Sequence, residues 1–442
     1  MKAVLEQFIA GTRWFGAKGR GFEVTDVREI PLREDLRIAL ATVTFDGGEQ
    51  TTYQLPLGLY DKPQEHLDHA LVGTWIDAEL GEVFAYDALH DHAMTPALLE
   101  AFATDASFAG LTFHSVGDHE IDTEARSAVL SGEQSNTSVA FGEDSLLKVF
   151  RKVTQGANPD IEVHARLTEA GVEHVAALYG WAEYDGYHLA MLQQFLRTAS
   201  DGWELALTSV RDLFASPDIP ASDAGGDFAA EAHRLGHAVA SIHESLAEVF
   251  PTEAIAPFLV ADAMDSRLSA AIGDAPALSG HETSLRARFD ELRSVSGPLP
   301  TQRIHGDLHL GQTLRTVKGW KVVDFEGEPA KPLAERVLPD SPWRDVAGML
   351  RSFDYAAESI DDRPTDAGEH SASRAHEWAD RNRSAFLDGY REISGLDGRS
   401  GDSSALVAAY EADKAVYEVV YETRNRPDWV HIPLEAIRRL SL

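Results

Sequence analysis

The sequence predicts an α+β fold, with a strand-rich N-terminal half followed by a mostly helical C-terminal half. Up to about residue 197, apolar residues come in short alternating runs joined by turns such as Asp46-Gly47-Gly48 and Asp185-Gly186, which is typical of antiparallel strands. Beyond Trp203, apolar residues recur three or four positions apart, which is typical of amphipathic helices; one example is Leu235, Val239, Ile242 and Leu246.

Length and charge narrow the range of functions. A chain of 442 residues is too long for a single core, so we expect two or three domains. The formal net charge of −33 argues against nucleic acid or an anionic membrane as a partner. There are no cysteines, and we find neither a signal peptide nor an apolar run long enough to cross a membrane. We therefore expect a cytoplasmic protein that is a monomer or a weak dimer.

Three regions follow one another along the chain. Residues 1–90 form a small α/β subdomain, with a short helix and three strands over Glu23–Ile30, Leu36–Phe45 and Thr51–Leu57. Residues 91–197 form a second strand-rich region. Residues 198–442 form the helical region, which we expect to carry the active site.

The second region has features of a nucleotide site. Lys148 lies within the apolar strand LLKVF, where a lysine must bury its stem and pair its charge. Glu162, on the helix that begins near Pro159, is the predicted partner, as in kinases that orient ATP phosphates with such a pair. The polar loop 132–138 between two strands is the candidate phosphate contact, through Ser135, Asn136 and Thr137. After the later strand pair, Gln193 and Phe195 occupy the position of a hinge that reads adenine.

The stretch from Arg303 to Pro329, RIHGDLHLGQTLRTVKGWKVVDFEGEP, has the pattern of a kinase catalytic site. Asp307 is followed five residues later by Gln312, and a short hairpin leads to Asp324. In kinases one carboxylate accepts the proton of the acceptor hydroxyl, while the amide and the second carboxylate hold Mg²⁺. These residues predict a phosphotransferase that uses ATP and Mg²⁺.

The last long helix carries a polar and aromatic stripe. Its members recur at three- and four-residue spacing, so they share one face, and Trp429 follows shortly after. Stacked rings with carboxylates suit a sugar, although a surface helix with ion pairs explains the same pattern. The stripe comprises Asp413, Lys414, Tyr417, Glu418, Tyr421, Glu422 and Asn425.

The motifs HGDLHLGQTLRT and DFEGEP resemble those of the aminoglycoside phosphotransferase-like kinases. Within that group the chain is most similar to actinobacterial maltokinases, through GEQSNTSVAF, LLKVFRKV, NPDIEVHARLTEAG, RDVAGMLRSFDYA and YEVVYETRNRPDWV. RWFGAKGR near the N-terminus resembles the start of their N-terminal cap. The resemblance implies a two-lobed protein-kinase-like fold with an N-terminal α/β cap subdomain and a mostly helical C-terminal lobe.

The resemblance also implies a role for each site residue. Asp307 is the catalytic base, and Gln312 and Asp324 bind the metal with help from Glu326. Lys148 grips the phosphates and Glu162 positions it. The acceptor pocket comprises His309, Tyr417, Glu418, Tyr421, Glu422 and Trp429.

The acceptor and two other functions stay open. Maltose, phosphorylated at its anomeric hydroxyl, is favoured by the overall pattern. Glucosamine, phosphorylated at its 6-hydroxyl by a sister group, is the alternative, and carboxylates such as Glu418 or Glu422 suit its amine. A metal-dependent hydrolase with His305, Asp307 and His309 as ligands is a rival class. A catalytically silent sugar-binding pseudokinase is another.

Overall fold

A computed structural model of the chain describes residues 1–130, 135–216, 219–223, 227–328, 331–360, 368–396, 398 and 401–440. Residues 132–134 of the polar loop and residues 361–367, predicted to lie in an acidic loop, fall outside these ranges. The chain forms two compact units. The N-terminal unit comprises Met1–Glu169 and Ala176–Arg197, and the C-terminal unit comprises Ala170–Val175 and Thr198–Leu442. The predicted boundaries at residues 90 and 197 remain predictions.

The first sheet of the N-terminal unit has six strands among the described residues, and helix α1 (Lys2–Gly11) packs against it. The fourth and fifth strands of this sheet were not predicted from the sequence. Apolar side chains on their solvent face, such as Ile76 at 77% exposure, blur the alternation that marks a strand. The order is β1-β2-β3-β5-β4, and β11 pairs with β3. The strands are β1 (Phe22–Pro31), β2 (Leu36–Phe45), β3 (Gln50–Tyr60), β4 (Leu71–Asp77), β5 (Gly81–Asp87) and β11 (Lys152–Val153).

The second sheet of this unit has seven described strands in the order β6-β7-β12-β13-β10-β9-β8. Helices α2 (Thr95–Ala103) and α3 (Pro159–Glu169) pack against it. Strands β6 and β7 were not predicted individually from the sequence. The strands are β6 (Ser107–Phe108), β7 (Leu111–Ser115), β8 (Ser127–Val129), β9 (Asn136–Phe141), β10 (Ser145–Phe150), β12 (Leu178–Tyr184) and β13 (Tyr187–Gln194).

The C-terminal unit is mainly helical, as predicted. Its helices are α4 (Gly202–Ala215), α5 (Ala229–Val249), α6 (Pro257–Asp274), α7 (Glu282–Arg293), α8 (Leu333–Arg336), α9 (Pro342–Glu358), α10 (Gly368–Ser394), α11 (Gly401–Asn425) and α12 (His431–Leu440). Its short strands are β14 (Ser200–Asp201), β15 (Glu253–Ile255), β16 (Leu299–Thr301), β17 (Thr313–Thr316) and β18 (Gly319–Val322). Strands β17 and β18 form the hairpin expected before Asp324, with Thr313 opposite Val322.

Helix α9 is the centre of the C-terminal unit. Its apolar face is fully buried at Val346, Met349, Leu350 and Phe353. Helices α4, α10, α11 and α12 all pack against it. Because α9 also contacts the segment after Asp307, the core of this unit positions the candidate site directly. Within the described ranges, no helix is both long and apolar enough to cross a bilayer.

Candidate active site

A buried carboxylate on α9 holds the loop that carries Asp307. Asp345 is 1% exposed, and its oxygens accept the backbone N–H groups of His305 at 2.7 Å and Gly306 at 2.8 Å. His243 on α5 contacts the same carboxylate at 3.1 Å. Burial alone would raise the pKa of Asp345, but the hydrogen bond and charge of His243 lower it below its ordinary value. The carboxylate therefore stays ionised and fixes the start of the loop.

His305 orders the same loop from within. Its Nδ1 accepts the Asp307 backbone N–H at 3.3 Å, which leaves Nε2–H to donate to the carbonyl of Val323 at 3.0 Å. Gly306 has φ of +85°, a left-handed conformation that favours glycine at this position. This ring links the loop to the end of the hairpin that leads to Asp324.

The backbone of α9 lies directly against the loop. A Cβ added to Gly348 would lie 2.5 Å from the carbonyl oxygen of Leu308, so only glycine permits this approach. Ser352, one turn later, accepts the backbone N–H of Leu310 at 3.0 Å. The loop is thus fixed on both sides of Asp307 by residues far away in sequence.

Asp307 forms an ion pair with Lys414 of α11. The distance from Oδ1 to Nζ is 3.3 Å, and the side chains are 25% and 28% exposed. Burial raises the pKa of Asp307, but Lys414, together with His309 and His305, lowers the pKa below its ordinary value. The Asp307 carboxylate is therefore ionised and able to accept a proton. Helical spacing placed Lys414 in the stripe on α11, but no role was predicted for it.

The predicted metal ligands come together at the end of the hairpin. Gln312 Nε2 donates to Asp324 Oδ2 at 3.3 Å, and carboxylate oxygens of Asp324 and Glu326 lie within 4.8 Å of each other. Asp324 has φ of +69°, which is unusual for a residue with a side chain and is typical of functional sites. An amide and two carboxylates offer the oxygen ligands that suit a hard divalent cation such as Mg²⁺.

A cavity of about 880 Å³ opens beside Asp307 within the C-terminal unit. Helix α11 forms one wall, and residues of β14, α4, α9, the loop that carries Asp307 and the segment after α11 line the rest. Every residue that we predicted for the acceptor pocket lines this cavity, together with the predicted base: Asp307, His309, Tyr417, Glu418, Tyr421, Glu422 and Trp429.

Two of these carboxylates are already held by arginines that were not named in the sequence analysis. Glu418 accepts from Arg351 at 2.9 Å, and burial raises its pKa despite the charge of that arginine. Glu422 accepts two hydrogen bonds from Arg426, at 2.7 and 2.9 Å, and one from Tyr355. Both glutamates are therefore fixed in place as parts of the cavity wall.

Aromatic rings cover another part of the wall. Tyr417 and Tyr421 stack with ring centroids 6.3 Å apart, and they are 38% and 43% exposed. Arg426 lies over the ring of Trp429 at 4.5 Å. Trp203 on α4 also lines the cavity. Exposed rings next to fixed polar groups suit a ligand that has both hydroxyl groups and C–H faces.

In the N-terminal unit, the lysine predicted to grip phosphate is buried and paired. Lys148 is 6% exposed, and its Nζ lies 2.9 Å from Asp160 Oδ2 on the first turn of α3. We predicted Glu162 for this contact; the ion pair observed here uses Asp160, two residues earlier. Burial alone would raise the pKa of Asp160, but the charges of Lys148 and His164 lower it well below its ordinary value. The role of Glu162 remains a prediction.

The predicted nucleotide contacts lie in this same unit. Thr137 Oγ1 accepts from Arg151 Nε at 2.8 Å, so its hydroxyl is already engaged. The backbone N–H of Phe195 donates to Asp144 at 2.7 Å, which removes this amide as a reader of adenine. Gln193 pairs within the sheet, opposite Leu146 and Leu178. Ser135 and Asn136 stand at the start of β9.

The contacts of the alternating histidines do not fit the hydrolase alternative. Both ring nitrogens of His305 are used within the loop and hairpin, and His309 Nδ1 accepts the N–H of Gly311 at 3.1 Å. Among the described residues, neither histidine belongs to a group of three that could share a metal ion.

Comparison with known proteins shows what the chain is similar to. Residues 8–91 match the maltokinase N-terminal cap domain. The chain is 28% identical over 316 residues to a glucosamine kinase of Streptacidiphilus jiangxiensis, covering 68% of this chain and 70% of that protein. It is 28% identical over 324 residues to the glucosamine kinase of Mycolicibacterium smegmatis, covering 70% and 78%.

Solved structures give the same fold. A glucosamine kinase in complex with glucosamine, ADP and inorganic phosphate is similar with a TM-score of 0.69 and 20% identity, covering 98% of each chain. A second crystal form of a glucosamine kinase gives 0.71 at the same identity and coverage. The predicted kinase fold is therefore confirmed. The chain is a phosphotransferase that acts on an alcohol group, and it resembles the maltokinase-like and glucosamine kinases.

Proposed function

We propose that the protein is an ATP-dependent sugar kinase that converts glucosamine and ATP to glucosamine 6-phosphate and ADP. The observation that carries this proposal is the cavity beside Asp307, which combines exposed rings with an excess of carboxylates. The proteins named as glucosamine kinases among its relatives support the same acceptor. The sequence pattern alone favoured maltose.

Charge in the cavity favours a cationic acceptor. Its described lining contains five carboxylates and three cationic side chains. An amino sugar is protonated at neutral pH, so the excess of negative charge in the cavity strengthens its binding. A neutral sugar receives no such electrostatic contribution. The carboxylates are Asp201, Glu204, Asp307, Glu418 and Glu422, and the cations are Lys414, Arg424 and Arg426.

In the proposed reaction the acceptor hydroxyl lies next to Asp307. As the oxygen forms its bond to the γ-phosphorus, Asp307 accepts the hydroxyl proton, and the bond from the γ-phosphorus to the bridging oxygen of ADP breaks. Lys414 keeps Asp307 ionised before transfer. Asp345 keeps the loop in the position needed for in-line attack, so most of the catalysis comes from orientation and charge.

The nucleotide and metal roles follow the kinase pattern. Gln312, Asp324 and Glu326 would hold a divalent cation, which we propose is Mg²⁺ and which would neutralise phosphate charge when bound. Lys148 would contact the phosphates while Asp160 orients its ammonium group. We retain Ser135 and Asn136 as phosphate contacts and Gln193 as an adenine contact.

Maltose is the second candidate acceptor, favoured by the size and the aromatic lining of the cavity. A volume of about 880 Å³ exceeds what one monosaccharide needs, and Trp203, Tyr417, Tyr421 and Trp429 could stack on two sugar rings. The match to the maltokinase cap domain agrees with this alternative.

The test measures ADP release with Mg²⁺ and four acceptors: glucosamine, N-acetylglucosamine, glucose and maltose. We expect kcat/KM to be highest for glucosamine and to fall strongly for N-acetylglucosamine, which lacks the positive charge. A higher value for maltose would select the second candidate. If no sugar raises ADP release above the level of the Asp307→Asn variant, the sugar kinase proposal is wrong.

A further inference from the structure

A cluster of metal-ligating side chains lies outside the cavity, where helices α5 and α10 cross. His233 and His237 are one turn apart on α5, and Glu392 lies on α10. The Nε2 atom of His233 is 3.1 Å from one oxygen of Glu392, and that of His237 is 2.8 Å from the other. The three side chains are 35%, 38% and 51% exposed, so solutes can reach them.

The backbones of the two helices fix this cluster. A Cβ added to Gly236 would lie 2.1 Å from the carbonyl oxygen of Phe386, and one added to Gly389 would lie 2.0 Å from that of His233. Two glycines therefore let the helices approach until their backbones touch. Such close packing restricts sliding of one helix along the other, so the two histidines stay near the glutamate.

The spacing of the three ligand atoms is close to that of a tetrahedral metal site. All three lie within 4.8 Å of one another. Zinc–ligand bonds of about 2.0–2.2 Å place neighbouring ligand atoms about 3.3 Å apart around a tetrahedral centre. The two histidine–glutamate distances are already near this value, and small side-chain rotations would bring the histidine nitrogens closer together.

The donor set selects the class of ion. Two imidazole nitrogens and one carboxylate suit zinc and its neighbours among the transition metals, whereas Mg²⁺ prefers oxygen ligands alone. Hydrogen bonds from His237 and His233 lower the pKa of Glu392, so its carboxylate is ionised. A bound cation would replace the protons that the histidines now share with that carboxylate, and water would complete the coordination.

We propose that His233, His237 and Glu392 form a transition-metal site that binds Zn²⁺ and cross-links α5 to α10. The site is separate from the Mg²⁺ ligands of the kinase reaction, and its role is stability. Helix α5 also carries His243, which contacts Asp345 at 3.1 Å and the hydroxyl of Tyr390 on α10 at 2.9 Å. A metal ion that locks these helices together would therefore resist unfolding of the helices that support the catalytic loop.

The test uses the full chain, free of tags and stripped of metal. Zn²⁺ binding is measured by titration calorimetry, and the site is observed directly through the visible absorption of bound Co²⁺. The variants are His237→Ala, which removes one ligand, and Glu392→Gln, which keeps the shape and removes the charge. His66→Ala, which removes an exposed histidine of the N-terminal unit, is the matched control.

We expect one Zn²⁺ per chain, a higher Tm with Zn²⁺, and the same results for His66→Ala. Both site variants should bind Zn²⁺ at least about 10-fold more weakly and lose the Tm increase. Their Tm without metal and their sugar kinase activity in Mg²⁺ should stay close to those of the unaltered chain. If Glu392→Gln and the unaltered chain bind Zn²⁺ with equal affinity, the ion is an adventitious ion only and the proposal is wrong. The absence of saturable Zn²⁺ binding would also overturn the proposal, since the three side chains would then form only hydrogen bonds.

Discussion

The two compact units each contain a lysine–aspartate pair, and the two pairs differ in their surroundings. Lys148 and Asp160 in the N-terminal unit are 2.9 Å apart, with side chains 8% and 2% exposed. Lys414 and Asp307 in the C-terminal unit are 3.3 Å apart, and their side chains are 28% and 25% exposed. The first aspartate also contacts His164 at 3.1 Å, whereas the second lines the cavity.

The difference shows how one pair of residue types serves two purposes. A buried carboxylate held by a lysine and a histidine is fixed and can orient its lysine, but it cannot easily take up a proton. A carboxylate at a cavity wall with a looser lysine contact is ionised and accessible to a substrate. The contrast leads us to expect a structural aspartate in one unit and a reactive one in the other.

The largest effect is expected at the reactive pair. Asp307→Asn removes the proton acceptor and should lower kcat by about 10³–10⁴-fold with little change in the KM for ATP. Asp413→Asn on α11, where the native carboxylate pairs with Arg267, is the control and should keep most of the activity. Steady-state ADP release measures both variants. A kcat for Asp307→Asn within tenfold of the unaltered enzyme would contradict its role as the base.

The second prediction concerns which acid orients Lys148. Asp160→Asn should lower kcat/KM for ATP by about 100-fold, because the buried ammonium group loses its charged partner. Glu162→Gln should have a much smaller effect if Asp160 is the orienting residue. The ratio of the two effects is the measurement. A larger loss in Glu162→Gln would restore the original assignment from sequence.

A smaller effect is expected when the cation of the reactive pair is removed. Lys414→Met should reduce kcat about 10-fold near neutral pH, because one charge that aligns Asp307 is lost. The pH profile separates this role from simple damage. Lys414 lowers the pKa of Asp307, so without it burial raises that pKa and the acid limb of kcat/KM should move to higher pH. An unchanged acid limb would show that Lys414 does not tune the base. Lys318→Met, at an exposed lysine, is the control.

The smallest effect is expected at the aromatic wall. Tyr421→Ala should raise the KM for the sugar by up to about 10-fold and leave kcat nearly unchanged, since a stacked ring contributes binding energy away from the reacting atoms. Tyr421→Phe keeps the ring and should bind normally. If the alanine variant also has a normal KM, the exposed rings do not contact the acceptor.

Sequence reasoning was most successful where chemistry is local. Asp307, Gln312 and Asp324 lie within one short stretch, and their spacing predicted that the amide and the second aspartate would meet, as they do at 3.3 Å. The stripe on α11 was predicted from helical spacing, and several of its residues line the cavity. Both inferences need only the geometry of a hairpin or a helix, which a few neighbouring residues determine.

Partners far apart in the chain were beyond such reasoning. Asp345 follows Gly306 by 39 residues and Lys414 follows Asp307 by 107, so spacing gives no indication that they meet. The choice between Asp160 and Glu162 depends on which side of α3 turns toward β10, and both occupy its first turn. Arg351, which holds Glu418 from 67 residues earlier, was missed for the same reason, whereas Arg426 is only four residues after Glu422 and that pair was open to sequence reasoning.

The amino-acid sequence by itself determined the fold class and the shared face of α11, and it led us to propose the catalytic stretch, because periodicity and turn chemistry act over short distances. Only the tertiary structure decided which charges are paired and which are accessible. Burial sets the strength of an ion pair, and burial depends on how distant segments pack. That is why Asp307 could be proposed as the base from its motif, while its lysine and its supporting carboxylate became visible only in the folded chain.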